Sequence, residues 1–147
     1  MPKMKVFLDS SVVIAGILSQ TGAARVLLVM SESGQIETFI SEQVIVETER
    51  TLARKAPEAL PAFRQTLRDA NPSIISSPTP QEIQDHMDLI SDPEDVPILL
   101  AAMKAHVDYL ATHNTKHFLD DPNVAERSGV KVGTPGEVLG WVREKQI

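Results

Sequence analysis

Three carboxylates, Asp9, Glu47 and Asp95, together with the amide of Asn114, are the residues of this 147-residue chain whose types and settings could do chemistry together. Asp9 directly follows the apolar run Lys5–Leu8. Glu47 lies six residues beyond Ser41, too deep in the helix that Ser41 opens to act as its cap. Asp95 stands just ahead of an apolar helix at 98–107, and Asn114 follows a strand at 108–112. Each has a plain structural account when taken alone. Asp9 and Asp95 can cap the helices they precede or complement their dipoles. Glu47 can face solvent, as Glu42 and Glu49 do, and Asn114 can be a turn residue. Gathered in one pocket, three carboxylates repel strongly and persist when a hard divalent cation neutralises them. Oxygen-only ligands suit Mg²⁺ or Mn²⁺, which also bind substrate phosphates. The chemistry of the set is therefore metal-assisted phosphodiester hydrolysis.

Other residues point less sharply. His113 and His117 are four apart and would share a helix face, a spacing found in zinc sites. The residue after His113 is Asn114 rather than Glu, and no third ligand is evident, so two loop histidines are the simpler account. Arg50 and Arg54, on the helix of Glu47, and Lys116 are candidates for contacting a phosphate backbone, or are ordinary solvated side chains. A single Tyr and a single Trp leave little for stacking bases.

The elements that must position these residues alternate. Strands are expected at Lys5–Leu8, 36–40, 108–112 and 130–132, with a short strand or extended connector in the proline-rich stretch 71–80. Helices are expected after Ser10 and Ser11, whose hydroxyls can cap, and at 22–33, after Ser41, between Pro57 and Pro61 and beyond, at 81–90 and at 98–107. A last helix follows Thr134-Pro135-Gly136-Glu137, which carries the signature of a capping box with Pro at the first position. Such alternation implies right-handed crossovers and a three-layer α/β/α fold with a mostly parallel sheet. Ligands then sit beyond the carboxyl ends of the strands.

Composition narrows the class. A chain of 147 residues, 42% hydrophobic and 23% charged, is one ordinary domain over 1–147. Disordered, collagen-like and disulfide-stapled classes are excluded. No apolar run approaches the ~20 residues of a membrane span, and no signal peptide is evident. The absence of cysteine is compatible with a reducing cytoplasm, the expected location. A net charge of −6 argues against coating nucleic acid by charge alone, yet leaves room for an acidic site inside a locally basic groove.

The order and spacing of these motifs resemble the PIN domain (PilT N-terminus) nucleases, and within them the small bacterial ribonucleases of the VapC type. The resemblance rests on Val6-Phe7-Leu8-Asp9-Ser10-Ser11, on Ser41 through Glu47 with Leu52, and on Asp92-Pro93-Glu94-Asp95 with the helix after it. It continues through Asp108 to Phe118 and the Thr134–Leu139 stretch. It implies metal-binding roles for Asp9, Glu47 and Asp95. Asn114 occupies the position of a frequent fourth acid, which favours one tightly held ion over two. Asp92 would add outer charge, Ser11 would bond Asp9 or a water on the metal, and Thr112 would orient Asn114 or the scissile phosphate. The implied reaction is in-line attack of water on phosphorus, with loss of the 3′ oxygen and a 5′-phosphate product. The implied substrate is RNA, in a single strand or an exposed loop. The implied partners are an antitoxin protein that blocks the cleft and a second copy of the chain. The apolar stretch 26–30 would contribute to that homodimer, or belong to the core. A catalytically silent PIN-like binding module is the alternative, and Asn114 speaks for it. A phospho-receiver domain lacks its paired acids and acceptor here. A Rossmann dinucleotide binder lacks Gly-x-Gly-x-x-Gly after the first strand.

Overall fold

Strand β1 (Lys5–Leu8) forms where the apolar, β-rich run predicts it in the computed structural model, which describes residues 3–119 and 121–146. Met1, Pro2, Asp120, Ile147 and the side chains of His117 and Leu119 lie outside the described residues. The chain continues through α1 (Ser10–Leu18), α2 (Ala23–Glu32), β2 (Glu37–Ser41) and α3 (Glu42–Lys55). A 3-10 turn (Pro57–Ala59) leads into α4 (Leu60–Ala70), β3 (Ser73–Ile75) and α5 (Pro80–Asp85). A second 3-10 turn (Pro93–Asp95) precedes α6 (Val96–Lys104), then come β4 (Tyr109–Ala111), α7 (Thr115–Leu119), α8 (Val124–Ser128), β5 (Lys131–Gly133) and α9 (Pro135–Lys145).

All five strands are parallel, in the order β3-β2-β1-β4-β5. Helices flank the sheet in the expected α/β/α manner. Helix α1 packs on α2 and α3, and α2 on α4 and α9, while α6 packs against α5 and α8. Val6, Phe7, Leu8, Leu110 and Ala111 have almost no exposed surface. A parallel sheet covered on both faces requires such apolar strands. Among the described residues, no single helix is long and apolar enough to cross a membrane.

Several boundaries differ from those the sequence suggests. The cap of α1 is Asp9, whose carboxylate accepts from Ser10 N, so the serines lie inside the helix rather than before it. Helix α5 stops at Asp85 instead of running to residue 90. Leu89 and Ile90 are buried in the core, and the turn after His86 is what swings them there. The apolar stretch 26–30 is mostly core, since Leu27, Leu28 and Met30 are buried and Val29 is exposed. Helix α8 has no counterpart in the sequence reading.

Candidate functional site

Strand β1 is the middle strand, and the chain builds outward from it on one side through β2 and β3 and on the other through β4 and β5. The point where that order reverses is the crevice between β1 and β4, at the carboxyl edge of the sheet. The register Leu8↔Ala111 brings the next residues, Asp9 and Thr112, side by side there. Thr112 Oγ1 donates to Asp9 Oδ2 at 2.8 Å, and Asp9 N donates to Ala111 O at 3.1 Å. Ser11 Oγ also donates to Asp9 Oδ2, at 3.3 Å, while Ser10 N donates to Oδ1 at 2.8 Å. Asp9 is thus both helix cap and cleft wall.

Glu47 reaches the same place from α3. Ser41 caps that helix by accepting from Val44 N at 3.2 Å, which sets its first turn at the end of β2. Glu47 Oε2 accepts from Ser10 Oγ at 3.0 Å and Oε1 from Gln43 Nε2 at 2.9 Å. The third acid arrives on the turn before α6. Asp92 Oδ1 accepts from Glu94 N at 2.9 Å, closing the 3-10 turn whose last residue, Asp95, is the N-cap position of α6. Asn114 follows β4, with its backbone N–H donating to Thr112 Oγ1 at 3.0 Å.

Asp9, Glu47, Glu94 and Asp95 line one open cleft of about 510 Å³ together with Ser10, Ser11, Gln43 and Asn114. Ile98 and Phe118 supply its apolar wall. Among the described residues, those lining the cleft include four carboxylates and no Lys, Arg or His. Their mutual repulsion is relieved by a cation or by protonation. The donors are all oxygens, which fits a hard divalent ion. Among the described residues, no three His, Cys, Asp or Glu side chains stand close enough to share one ion as they lie.

Asp9, Glu47, Asp95, Asn114 and Ser11 thus meet in one cleft, and Thr112 braces it from behind. Asp92 stands outside the lining as the cap of its turn. Arg50, Arg54 and Lys116 are exposed and do not line the cleft. His113 is exposed, its backbone N–H donating to Ser11 Oγ at 3.1 Å. Ser10, Gln43 and Glu94 are additions to the set. The i, i+4 spacing of Gln43 and Glu47 is a readable signal for their bond, and Glu94 adjoins Asp95. Nothing in the sequence pairs Ser10 with Glu47.

A family model described as PIN domain matches residues 5–116. No curated protein matches the chain. Among solved structures it is similar to a chain of VapBC2 from Rickettsia felis, crystallised bound to a DNA fragment from its promoter. The TM-score is 0.63 at 18% identity, covering 89% of this chain and 98% of that one. It is also similar to PAE2754 from Pyrobaculum aerophilum, with a TM-score of 0.63 at 13% identity, covering 96% of this chain and 90% of that one. A domain of a functionally unknown protein from Methanocaldococcus jannaschii DSM 2661 matches with a TM-score of 0.50 at 23% identity, covering 89% of this chain and 90% of that one. At such identities the likeness is one of fold. The family match runs from the first strand past Asn114 and takes in every acid of the cleft, and the chain belongs to the PIN domain family.

Proposed function

We propose that this protein is a metal-dependent endoribonuclease and the toxin half of a toxin–antitoxin pair, acting in the cytoplasm as a homodimer. The observation that carries the reading is a cleft at the strand-order reversal of a PIN domain, walled among the described residues by Asp9, Glu47, Glu94 and Asp95 with no basic side chain. PIN domains are in general nucleases that use divalent ions. The likeness to VapBC2 from Rickettsia felis, bound to a DNA fragment from its promoter, supports an antitoxin partner.

Asp9, Glu47 and Asp95 would hold Mg²⁺ or Mn²⁺. The ion's chemistry there is to activate water and shield the charge that develops on the scissile phosphate. The chain's own residues set the geometry. Thr112 and Ser11 aim Asp9, and Ser10 and Gln43 aim Glu47. The amide of Asn114 is a neutral donor able to meet a phosphate oxygen without adding repulsion. Arg50, Arg54 and Lys116 would meet backbone phosphates further along the strand. In-line attack of water on phosphorus expels the 3′ oxygen as a hydroxyl and leaves a 5′-phosphate.

The test is cleavage of a mixed pool of single-stranded and structured RNA by the purified protein with Mn²⁺, Mg²⁺ or EDTA, beside Asp95→Asn. Cutting that requires both metal and Asp95 is the expected result. No cutting by a folded, partner-free protein with either ion favours the second reading, a silent binding module, for which Asn114 in place of an acid is the supporting observation.

A further inference from the structure

The turn that carries Asp95 into the cleft is held from outside the stretch that the family model matches. Arg127 Nε donates to Leu89 O at 3.1 Å. The same guanidinium pairs with Asp121, whose Oδ2 also accepts from Ser91 Oγ at 3.2 Å. Asp121 is fixed in turn by Asn123 N on its Oδ1, at 3.3 Å. Its own N–H donates to the carbonyl of Phe118, a cleft-wall residue, at 3.4 Å. Burial pushes the Asp121 carboxyl up, but hydrogen bonds from Arg127, Ser91 and Asn123 outweigh it and hold the group below its ordinary value. One arginine and one carboxylate therefore grip the chain at Leu89 and Ser91. Immediately beyond, Asp92 and Pro93 set the 3-10 turn that ends at Asp95, and Asp95 N donates to Asp92 O at 3.1 Å. The family match ends at residue 116, before either Asp121 or Arg127.

We propose that Arg127 and Asp121 are positioning residues, a clamp that fixes the 89–92 segment and through it the place of Asp95 in the cleft. Leu89 and Ile90 anchor the segment in the core, and the clamp adds a polar hold at the Leu89 carbonyl and the Ser91 hydroxyl, next to the turn. That added hold lets Asp95 meet an incoming cation in a set position, which rests on the reading of the cleft as a metal site. Outer partners of this kind set ligand orientation and affinity without touching the ion.

The test uses the full chain with Arg127→Ala, Arg127→Lys and Asp121→Asn. It reads amide hydrogen exchange over residues 86–96, Mn²⁺ affinity by calorimetry, and kcat and KM for RNA cleavage. Arg127→Ala is expected to speed exchange at residues 89–95 and weaken Mn²⁺ binding about tenfold. It is expected to lower kcat while KM stays within about twofold. Arg127→Lys keeps a charge opposite Asp121 without the planar fork that also reaches Leu89, so it falls between the two. A wild type that binds Mn²⁺ with variants that bind it equally, and with exchange unchanged at 89–95, overturns the clamp alone. A wild type that neither binds Mn²⁺ nor cuts RNA overturns the reading of the cleft itself. Should Arg127→Ala fail to fold, Arg127→Lys and Asp121→Asn carry the same comparison.

Discussion

The hydroxyl of Ser10 donates to Glu47 Oε2 at 3.0 Å, while the backbone N–H of the same residue donates to Asp9 Oδ1 at 2.8 Å. One residue thus restrains two carboxylates that their charges push apart. Ser10→Ala removes the first bond and leaves the second. Because Glu47 is only half-buried, it can turn toward water, so the expected stability loss is at most about 1 kcal/mol. Mn²⁺ affinity is expected to fall several-fold, and Ser10→Thr to retain it. Chemical denaturation and Mn²⁺ titration of the two variants check both halves.

Asp9→Asn separates capping from charge. Asn caps helices as well as Asp does and still accepts from Ser10 N, but its NH₂ cannot accept from the Thr112 and Ser11 hydroxyls as Oδ2 does, so a modest loss, smaller than that of Asp9→Ala, is expected. RNA cleavage is expected to disappear. Asp9→Ala should cost about 1 kcal/mol or more, because it removes the cap and leaves the buried Thr112 hydroxyl without its acceptor. Circular dichroism melts beside a cleavage assay distinguish the two substitutions. Equal destabilisation by both would return Asp9 to a purely structural role.

Thr112 has no exposed surface and serves two residues, donating to Asp9 and accepting from Asn114 N. Thr112→Val fits the space but takes one donor from Asp9 and the acceptor from Asn114 N, at an expected cost of about 1–3 kcal/mol. Thr112→Ser keeps the hydroxyl and is expected to lose less. Urea unfolding midpoints rank the pair.

Two carboxylates predict the acid limb of stability. Glu82 is held below its ordinary value of 4.5, first by the Thr79 backbone N–H and then by Lys104, whose ammonium lies 3.0 Å away. Asp121 lies below 3.8 because the donors around it overcome its burial. Both folded values are depressed. The stability they contribute is present above 4.5 and 3.8 respectively, and is lost as pH falls through the lower folded values. Melting temperatures of wild type, Glu82→Gln and Asp121→Asn across about pH 3 to 7 should converge at the acid end.

Much of the scaffold was legible because local chemistry announces it. Ser41 and Thr134 are followed by helices that they cap, the second in a full capping box with Glu137. The apolar run ending at Asp9 forms β1 because it must be buried on both faces, and α6 starts where Pro97 allows, with Asp95 at its N-cap position but no side-chain cap bond. What escaped lies in tertiary packing. Residues 81–90 keep a helical pattern, yet the helix stops at Asp85 so that Leu89 and Ile90 can enter the core. Helix α8 is five residues long, too short to print a period, and ends on Gly129 with φ 73°. In the site, Asp9 and Asp95 were readable as acids that follow a strand or precede a helix, and Glu47 as an acid too deep in its helix to cap it. The donors that aim them were not, since the Ser10–Glu47 bond spans 37 residues of chain. Asp92, expected to add outer charge, stands off the cleft lining, and one of its carboxylate oxygens accepts from Glu94 N in the turn that delivers Asp95.

The placement of β1 has a consequence for synthesis. The middle strand is the first to be translated, and its partner β4 comes after a hundred further residues, with Asp9 and Thr112 separated by 103 positions. A growing chain on the ribosome can pair β1 with β2 early, but the crevice between β1 and β4 has only one wall until residue 112 has emerged. Until then the growing polypeptide holds Asp9 and Glu47 without Asn114 or the hydroxyl that aims the first acid. Whatever the cleft does, it does only once Asn114 has been made.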